Sequence, residues 1–108
     1  MVSPTIVTVI HQYLQEIKKR GVRISQAILF GSYAKGMATS DSDIDLLIIG
    51  PDFDPHPSRE LVGELWRARA VTDSRIEPIA VGTTSWEKEE GGVLIDVARR
   101  EGISIAPL

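Results

Sequence analysis

The segment AILFGSYAKGMATSDSDIDLLIIG, residues 27–50, decides how this chain folds. It has an apolar run at each end and a polar middle that contains two glycines. The first run ends a predicted strand at 22–30, and the second, at 43–49, is so apolar and β-branched that it predicts an interior strand. Gly31 interrupts the first strand, and the residues up to Gly36 suffice only for a turn or a short helix.

The residues before this segment predict an amphipathic helix. Ser3 can cap its first turn, Pro4 suits the first helical position, and Gly21 can end the helix in a left-handed conformation. Apolar residues recur between these ends at spacings of three and four: Ile6, Val9, Ile10, Tyr13, Leu14 and Ile17. We therefore expect one face of this helix to be buried.

The second half of the chain predicts alternating helices and strands. Pro78 favours an edge position or a bulge for its strand, because proline has no N–H to donate to a neighbouring strand. The run from Thr84 to Glu87 has the form of a helix capping box. The expected elements are a proline-rich loop at 51–57, a helix at 59–70 capped by Ser58, a strand at 74–81, a helix at 92–100 and a short strand at 103–105. The whole chain, 1–108, is thus predicted to be a single α/β (α+β) domain with helices packed against a small mixed sheet.

Composition excludes several classes of protein. The chain has 108 residues and a net charge of −3, so it lacks the basic footprint of a direct nucleic-acid binder. It contains no cysteine, which removes disulfides and thiolate metal sites. No targeting segment or membrane-spanning run is evident, and we expect a cytoplasmic protein without membrane association.

Two acids at the start of the second apolar run form a candidate metal site. Asp43 and Asp45 are two residues apart, so in an extended strand their side chains point to the same side. Adjacent carboxylates repel each other unless a cation lies between them, and hard oxygen ligands favour Mg²⁺ or Mn²⁺. Alone, this pattern is more typical of a solvated turn before a strand than of a metal site.

Gly31 and Ser32 form a candidate phosphate site. A glycine at a strand end lets a phosphate approach the backbone, and a serine that opens a short helix adds a hydroxyl and free N–H groups. Lys35 could reach a phosphate or extend along the surface. A Gly-Ser pair by itself indicates only a turn, but a phosphate site joined to an acidic pair predicts phosphoryl or nucleotidyl transfer.

Glu77 is the candidate third acid. It lies between apolar residues in the predicted third strand, where a carboxylate needs a partner or solvent. It is predicted to be a metal ligand or a base, and the alternative is an outward-facing glutamate on an edge strand.

The spacing of these residues carries a family resemblance. Gly31 and Ser32, ten intervening residues, and then Asp43 and Asp45 resemble the GS-x(10)-DxD signature of the minimal nucleotidyltransferases, within the DNA polymerase β-like superfamily. The resemblance implies that Gly31 and Ser32 hold the triphosphate of ATP. It also implies that Asp43 and Asp45, with Glu77 in place of the usual aspartate, bind one or two Mg²⁺ ions, for which Mn²⁺ can substitute.

The resemblance also implies a biological role. Members of this family are often antitoxins of HEPN-type ribonuclease toxins, and some transfer AMP from ATP to a tyrosine of that partner. We therefore expect an adenylyltransferase-like enzyme that acts on a HEPN-type toxin, and a homo-oligomer is compatible with the sequence. The alternatives are a non-catalytic antitoxin that masks its partner by binding, and transfer to a small molecule, which ranks last because no residues remain for an acceptor domain.

Overall fold

The computed structural model describes residues 2–106 and contains four helices, four strands and two short 3₁₀ turns within that range. The 3₁₀ turns, Gly31–Tyr33 and Pro51–Phe53, each follow the end of a strand. In chain order the helices and strands are α1 (Pro4–Lys19), β1 (Gln26–Phe30), β2 (Ile44–Gly50), α2 (Arg59–Val71), β3 (Ile76–Gly82), α3 (Thr83–Glu87), α4 (Val93–Glu101) and β4 (Ile103–Ser104).

The strands form one mixed sheet in the order β3-β2-β1-β4. β2 runs parallel to β3, and β1 is antiparallel to both β2 and β4. The predicted mixed sheet is therefore confirmed. Pro78 lies in β3, at the edge of the sheet, as its missing N–H requires.

β1 begins at Gln26 and not at residue 22, as the sequence predicted. The backbone N–H of Arg23 donates to Asp52 Oδ2 at 2.9 Å, and the Arg23 guanidinium also binds this carboxylate. The Asp52 side chain therefore accepts the Arg23 N–H, which in a longer β1 would have donated to the neighbouring strand.

Helices cover both faces of the sheet, because β2 is apolar on both sides. Leu46 and Ile48 belong to a buried cluster with α1 and α2, whereas Leu47 and Ile49 belong to a second cluster with residues of α3 and α4. The two faces of a strand alternate, so Asp45 shares the α3/α4 face with Leu47 and Ile49. The predicted interior strand is thus confirmed.

The predicted helix ends are confirmed at α1 and α2 but not at α3. The Ser3 and Ser58 hydroxyls accept the backbone N–H groups of Thr5 at 3.2 Å and Leu61 at 3.1 Å. α3 follows β3 directly and starts at Thr83, so Thr84 already lies inside the helix and cannot act as its cap. The capping-box prediction was therefore wrong.

None of the helices in the described part of the chain is both long enough and apolar enough to span a bilayer.

Candidate active site

The turn after β1 contains the predicted phosphate-binding residues. Gly31 has φ +74, a left-handed value that a residue without Cβ adopts at little cost. Its carbonyl accepts the N–H groups of Ala34 at 3.1 Å and Lys35 at 3.2 Å, and the Ser32 carbonyl accepts that of Met37 at 2.9 Å. The turn therefore closes on its own carbonyls, and the N–H groups at the start of such a turn have no partner within it. Free N–H donors of this kind are what a phosphate binds.

Gly31 lies directly against Asp45. A Cβ on Gly31 would collide with the Oδ2 atom of Asp45 and would come within 3.1 Å of its Cγ. The turn that could hold a phosphate and the carboxylate that could hold a metal ion are therefore in van der Waals contact. A phosphate in the turn and a cation on the acid would be immediate neighbours.

Strand register brings Glu77 to the same region. Asp45 of β2 lies opposite Glu77 of β3 in the parallel ladder. Other in-register pairs of these strands share a face, since Leu47 and its partner Ile79 pack in the same cluster. Asp45 and Glu77 consequently lie side by side on the α3/α4 face.

Asp43 completes a group of three acids. It precedes the first residue of β2 by one position, and its side chain is exposed. Burial, followed by the negative charges of Asp43 and Glu77, raises the pKa of Asp45 above its ordinary value. Asp45 is therefore close enough to Asp43 and to Glu77 to be repelled by each of them, which is the condition that a bound cation relieves.

The three acids differ in how well they fit a divalent ion. Within residues 2–106, no three carboxylate or imidazole groups stand close enough together to form a ready set of metal ligands. Asp43 and Asp45 provide a pair of hard oxygen donors beside the turn, which suits Mg²⁺ or Mn²⁺. Glu77 instead makes an ion pair with Arg69, whose Nη2 atom lies 3.6 Å from Glu77 Oε1. Sequence reasoning missed Arg69, because nothing in the local pattern marks a contact between a helix end and the next strand.

Lys35 lies at the rim of the site. Its Nζ atom is 3.5 Å from Glu101 Oε2 at the end of α4, and both side chains are about half exposed. A phosphate would have to replace Glu101 as its partner, which costs little for a solvated ion pair.

Tyr33, the last residue of the Gly31–Tyr33 turn, is held by structural contacts. Its ring packs against the α1/α2 cluster, and its hydroxyl donates to the Thr39 carbonyl at 3.3 Å. The hydroxyl also accepts a bond of 3.4 Å from Arg75, which Asp73 holds in place. Tyr33 thus braces the connection between β1 and β2.

The candidate site reaches the protein surface, since Asp43 is exposed and Gly31, Ser32 and Asp45 are partly exposed. A cavity of about 610 Å³ lies elsewhere, between α4 and the residues after α3, and the acids and the turn do not line it. Its residue Arg99 is occupied structurally, donating to the carbonyls of Ser85, Trp86 and Glu90 and stacking 4.8 Å from the centre of the Trp86 ring. This cavity therefore gives no alternative location for the predicted chemistry.

Comparison with known proteins bears on the family and the fold of the chain. A protein of Methanocaldococcus jannaschii named "putative protein adenylyltransferase" is 63% identical over 38 residues, which are 34% of this chain and only 37% of that relative. A crystal structure described as a "putative nucleotidyltransferase" from Sulfolobus solfataricus superposes with a TM-score of 0.62 at 14% identity, covering 91% of this chain and 77% of that one. At this identity the superposition shows the fold alone. The family model for the nucleotidyltransferase domain matches residues 10–104. Because this match covers most of the chain, the protein belongs to the nucleotidyltransferase domain family.

Proposed function

We propose that this protein is a metal-dependent nucleotidyltransferase that transfers AMP from ATP to a hydroxyl group. The observation that carries the proposal is the contact between the Gly31 turn and the Asp45 carboxylate. This contact puts the candidate phosphate site beside the acidic pair, as transfer of a nucleotidyl group requires. Membership of the nucleotidyltransferase family supports it, as does the name of the archaeal relative.

Each site residue has a role in this proposal. The Gly31 turn and Ser32 would bind the triphosphate, with Lys35 as a further contact. Asp43 and Asp45 would hold one or two Mg²⁺ ions, which when bound neutralise phosphate charge and favour loss of pyrophosphate. Glu77 would hold the second ion or accept the proton of the acceptor hydroxyl. The acceptor oxygen forms a bond to the α-phosphorus as the bond from that phosphorus to the bridging oxygen of pyrophosphate breaks.

The proposed acceptor is a tyrosine of a HEPN-type toxin in the cytoplasm, so that the protein acts as an antitoxin. The GS-x(10)-DxD resemblance and the exposure of the site residues both support a protein acceptor, because a partner could cover the exposed side. A macromolecular acceptor needs such access, whereas a small molecule is usually bound in a concave pocket.

Transfer of label from α-³²P-ATP to a co-expressed partner tests the proposal. The double variant Asp43→Asn, Asp45→Asn should lose transfer by more than about 100-fold, since a metal ion contributes several kcal/mol to such a reaction. Asp41→Asn is the matched control, because Asp41 is an exposed acid in the turn before β2. Undiminished transfer by the double variant would refute a catalytic role for these acids.

A second candidate is an antitoxin that binds its partner without modifying it. It is favoured by Glu77, which stands where the family's third carboxylate is usually an aspartate. In this case the double variant would still suppress toxicity and co-purify with its partner, although neither protein would carry label.

A further inference from the structure

We propose that Arg69 is a positioning residue that holds Glu77 beside Asp45 for cation binding. The inference rests on the proposed function, since it concerns the third acid of the same site. Its basis is the ion pair of Arg69 Nη2 with Glu77 Oε1, at 3.6 Å, across the edge of the sheet.

The Arg69 guanidinium is fixed by contacts that do not involve Glu77. Its Nη2 atom donates to the Ser74 carbonyl at 2.5 Å, and its Cζ atom lies 4.8 Å from the centre of the Trp66 ring. Only 29% of the side chain is exposed. The planar guanidinium can stack and donate at once, which an ammonium cannot do. The last turn of α2 therefore holds the Arg69 guanidinium in place beside the start of β3. Glu77 is the group that this guanidinium orients.

Glu77 needs such a partner for two reasons. A glutamate has one more side-chain torsion than the aspartate it replaces, and at the edge of the sheet 35% of its side chain is exposed. The Asp45 carboxylate, which lies opposite Glu77 in the ladder, also repels it. Without Arg69, both effects would favour rotation of Glu77 away from Asp45 into solvent.

The other nearby arginine cannot substitute. Arg75 binds the Asp73 carboxylate through Nε at 3.0 Å and Nη2 at 2.8 Å, and its remaining nitrogen faces Tyr33. Among the ion pairs in the described part of the chain, the one with Arg69 is the only pair that includes Glu77.

The test measures Mn²⁺ binding in the presence of α,β-methylene-ATP, from the EPR signal of free Mn²⁺. Arg69→Met should weaken binding about tenfold, the lower end of the effect of losing a group that orients a metal ligand. Arg69→Lys should weaken it similarly, because the charge remains but the planar group that stacks on Trp66 while it donates to Ser74 is lost. Neither change should weaken binding further in a Glu77→Gln background. Arg67→Met is the control, since Arg67 lies on the same helix but pairs with Glu64 at 2.7 Å.

Other outcomes would overturn the inference in distinguishable ways. Tighter binding by Arg69→Met with unchanged binding by Arg69→Lys would show that Arg69 acts only as a repelling charge. An effect that persists in the Glu77→Gln background would show that Arg69 contacts the nucleotide itself. Normal Mn²⁺ binding by both variants would refute this inference alone, whereas no Mn²⁺ binding by the unaltered protein would refute the proposed function as well. Thermal unfolding checks the fold of each variant, and Arg69→Lys carries the test if Arg69→Met does not fold.

Discussion

The Oδ2 atom of Asp45 occupies the space into which a Cβ on Gly31 would project. Two requirements therefore coincide at Gly31, a left-handed φ of +74 and the absence of a side chain. The contact joins the two parts of the candidate site, the turn at the end of β1 and the acid near the start of β2. It also makes a substitution at Gly31 a test of the site as well as of the fold.

We expect Gly31→Ala to destabilise the protein and to abolish AMP transfer. The backbone conformation alone should cost about 1–2 kcal/mol, and displacement of Asp45 should add to that cost. The free energy of unfolding, measured by urea denaturation, gives the total.

Gly36→Ala is the matched control for this change. Gly36 has a similar φ of +71, but nothing lies within 4 Å of a Cβ placed there. The loss of stability in Gly36→Ala should therefore reflect the backbone conformation only, and AMP transfer should be retained. Equal losses of stability in the two variants would show that Asp45 does not restrict Gly31.

Asp45→Asn should stabilise the protein at neutral pH in metal-free buffer while it abolishes transfer. The raised pKa of Asp45 comes from burial and from its acidic neighbours, so the folded state retains a proton that the unfolded chain releases. Stability of the unaltered protein must then fall as pH rises from the ordinary value of 3.8 through the raised one. Asparagine carries no charge and escapes this loss.

Urea denaturation at pH 7 and at pH 3 checks the prediction. The advantage of Asp45→Asn should be present at pH 7 and absent at pH 3, where the acid is protonated in both states. Adding Mg²⁺ at pH 7 should stabilise the unaltered protein and reduce that advantage. A variant that is less stable than the unaltered protein at pH 7 would contradict the assigned repulsion.

Asp73→Asn should have the opposite pH dependence. Hydrogen bonds from the Arg75 side chain, and then from its backbone N–H, hold the pKa of Asp73 below its ordinary value. The stability that Asp73 contributes is therefore present above the ordinary value and is lost as pH falls through the lowered one.

The expected cost of Asp73→Asn at pH 7 is less than about 1 kcal/mol, because solvent screens an ion pair at the surface. The difference from the unaltered protein, measured by urea denaturation, should shrink towards pH 2. Arg75 also reaches the Tyr33 hydroxyl, so transfer should fall modestly if Arg75 loses its anchor. A stability difference that stays constant with pH would rule out this ion pair as the cause.

Structural features that depend on residues close in sequence could be predicted. Contacts between residues far apart in sequence could not. Ser3 and Ser58 cap helices that begin directly after them. Pro78 has no N–H to donate, which favours the edge of the sheet, where β3 lies. Asp43 and Asp45 could be grouped from their spacing alone. Arg69 could not be linked to Glu77, because their contact depends on how α2 returns the chain to the edge of the sheet. The proposed metal-binding roles of these acids stay predictions.

The N-terminus of α3 also depends on a residue far away in the sequence. Asp54, in the loop after β2, accepts the backbone N–H of Thr84 at 3.0 Å through Oδ1. Gly82 allows this approach, because a Cβ there would collide with the same oxygen. A residue thirty positions earlier in the chain therefore caps α3, and no pattern around Thr84 could have indicated it.

Asp54→Ala should cost about 1 kcal/mol, the usual value for loss of a side-chain cap. Ser58→Ala removes the local cap of α2 and should cost a similar amount, which makes it a matched control. The two variants should differ in where the structure loosens: Asp54→Ala should increase hydrogen exchange at Thr84 and its neighbours in α3, whereas Ser58→Ala should do so at Leu61. AMP transfer should persist in both, since neither cap touches the acids or the Gly31 turn. Unchanged exchange at Thr84 in Asp54→Ala would mean that α3 does not depend on this cap.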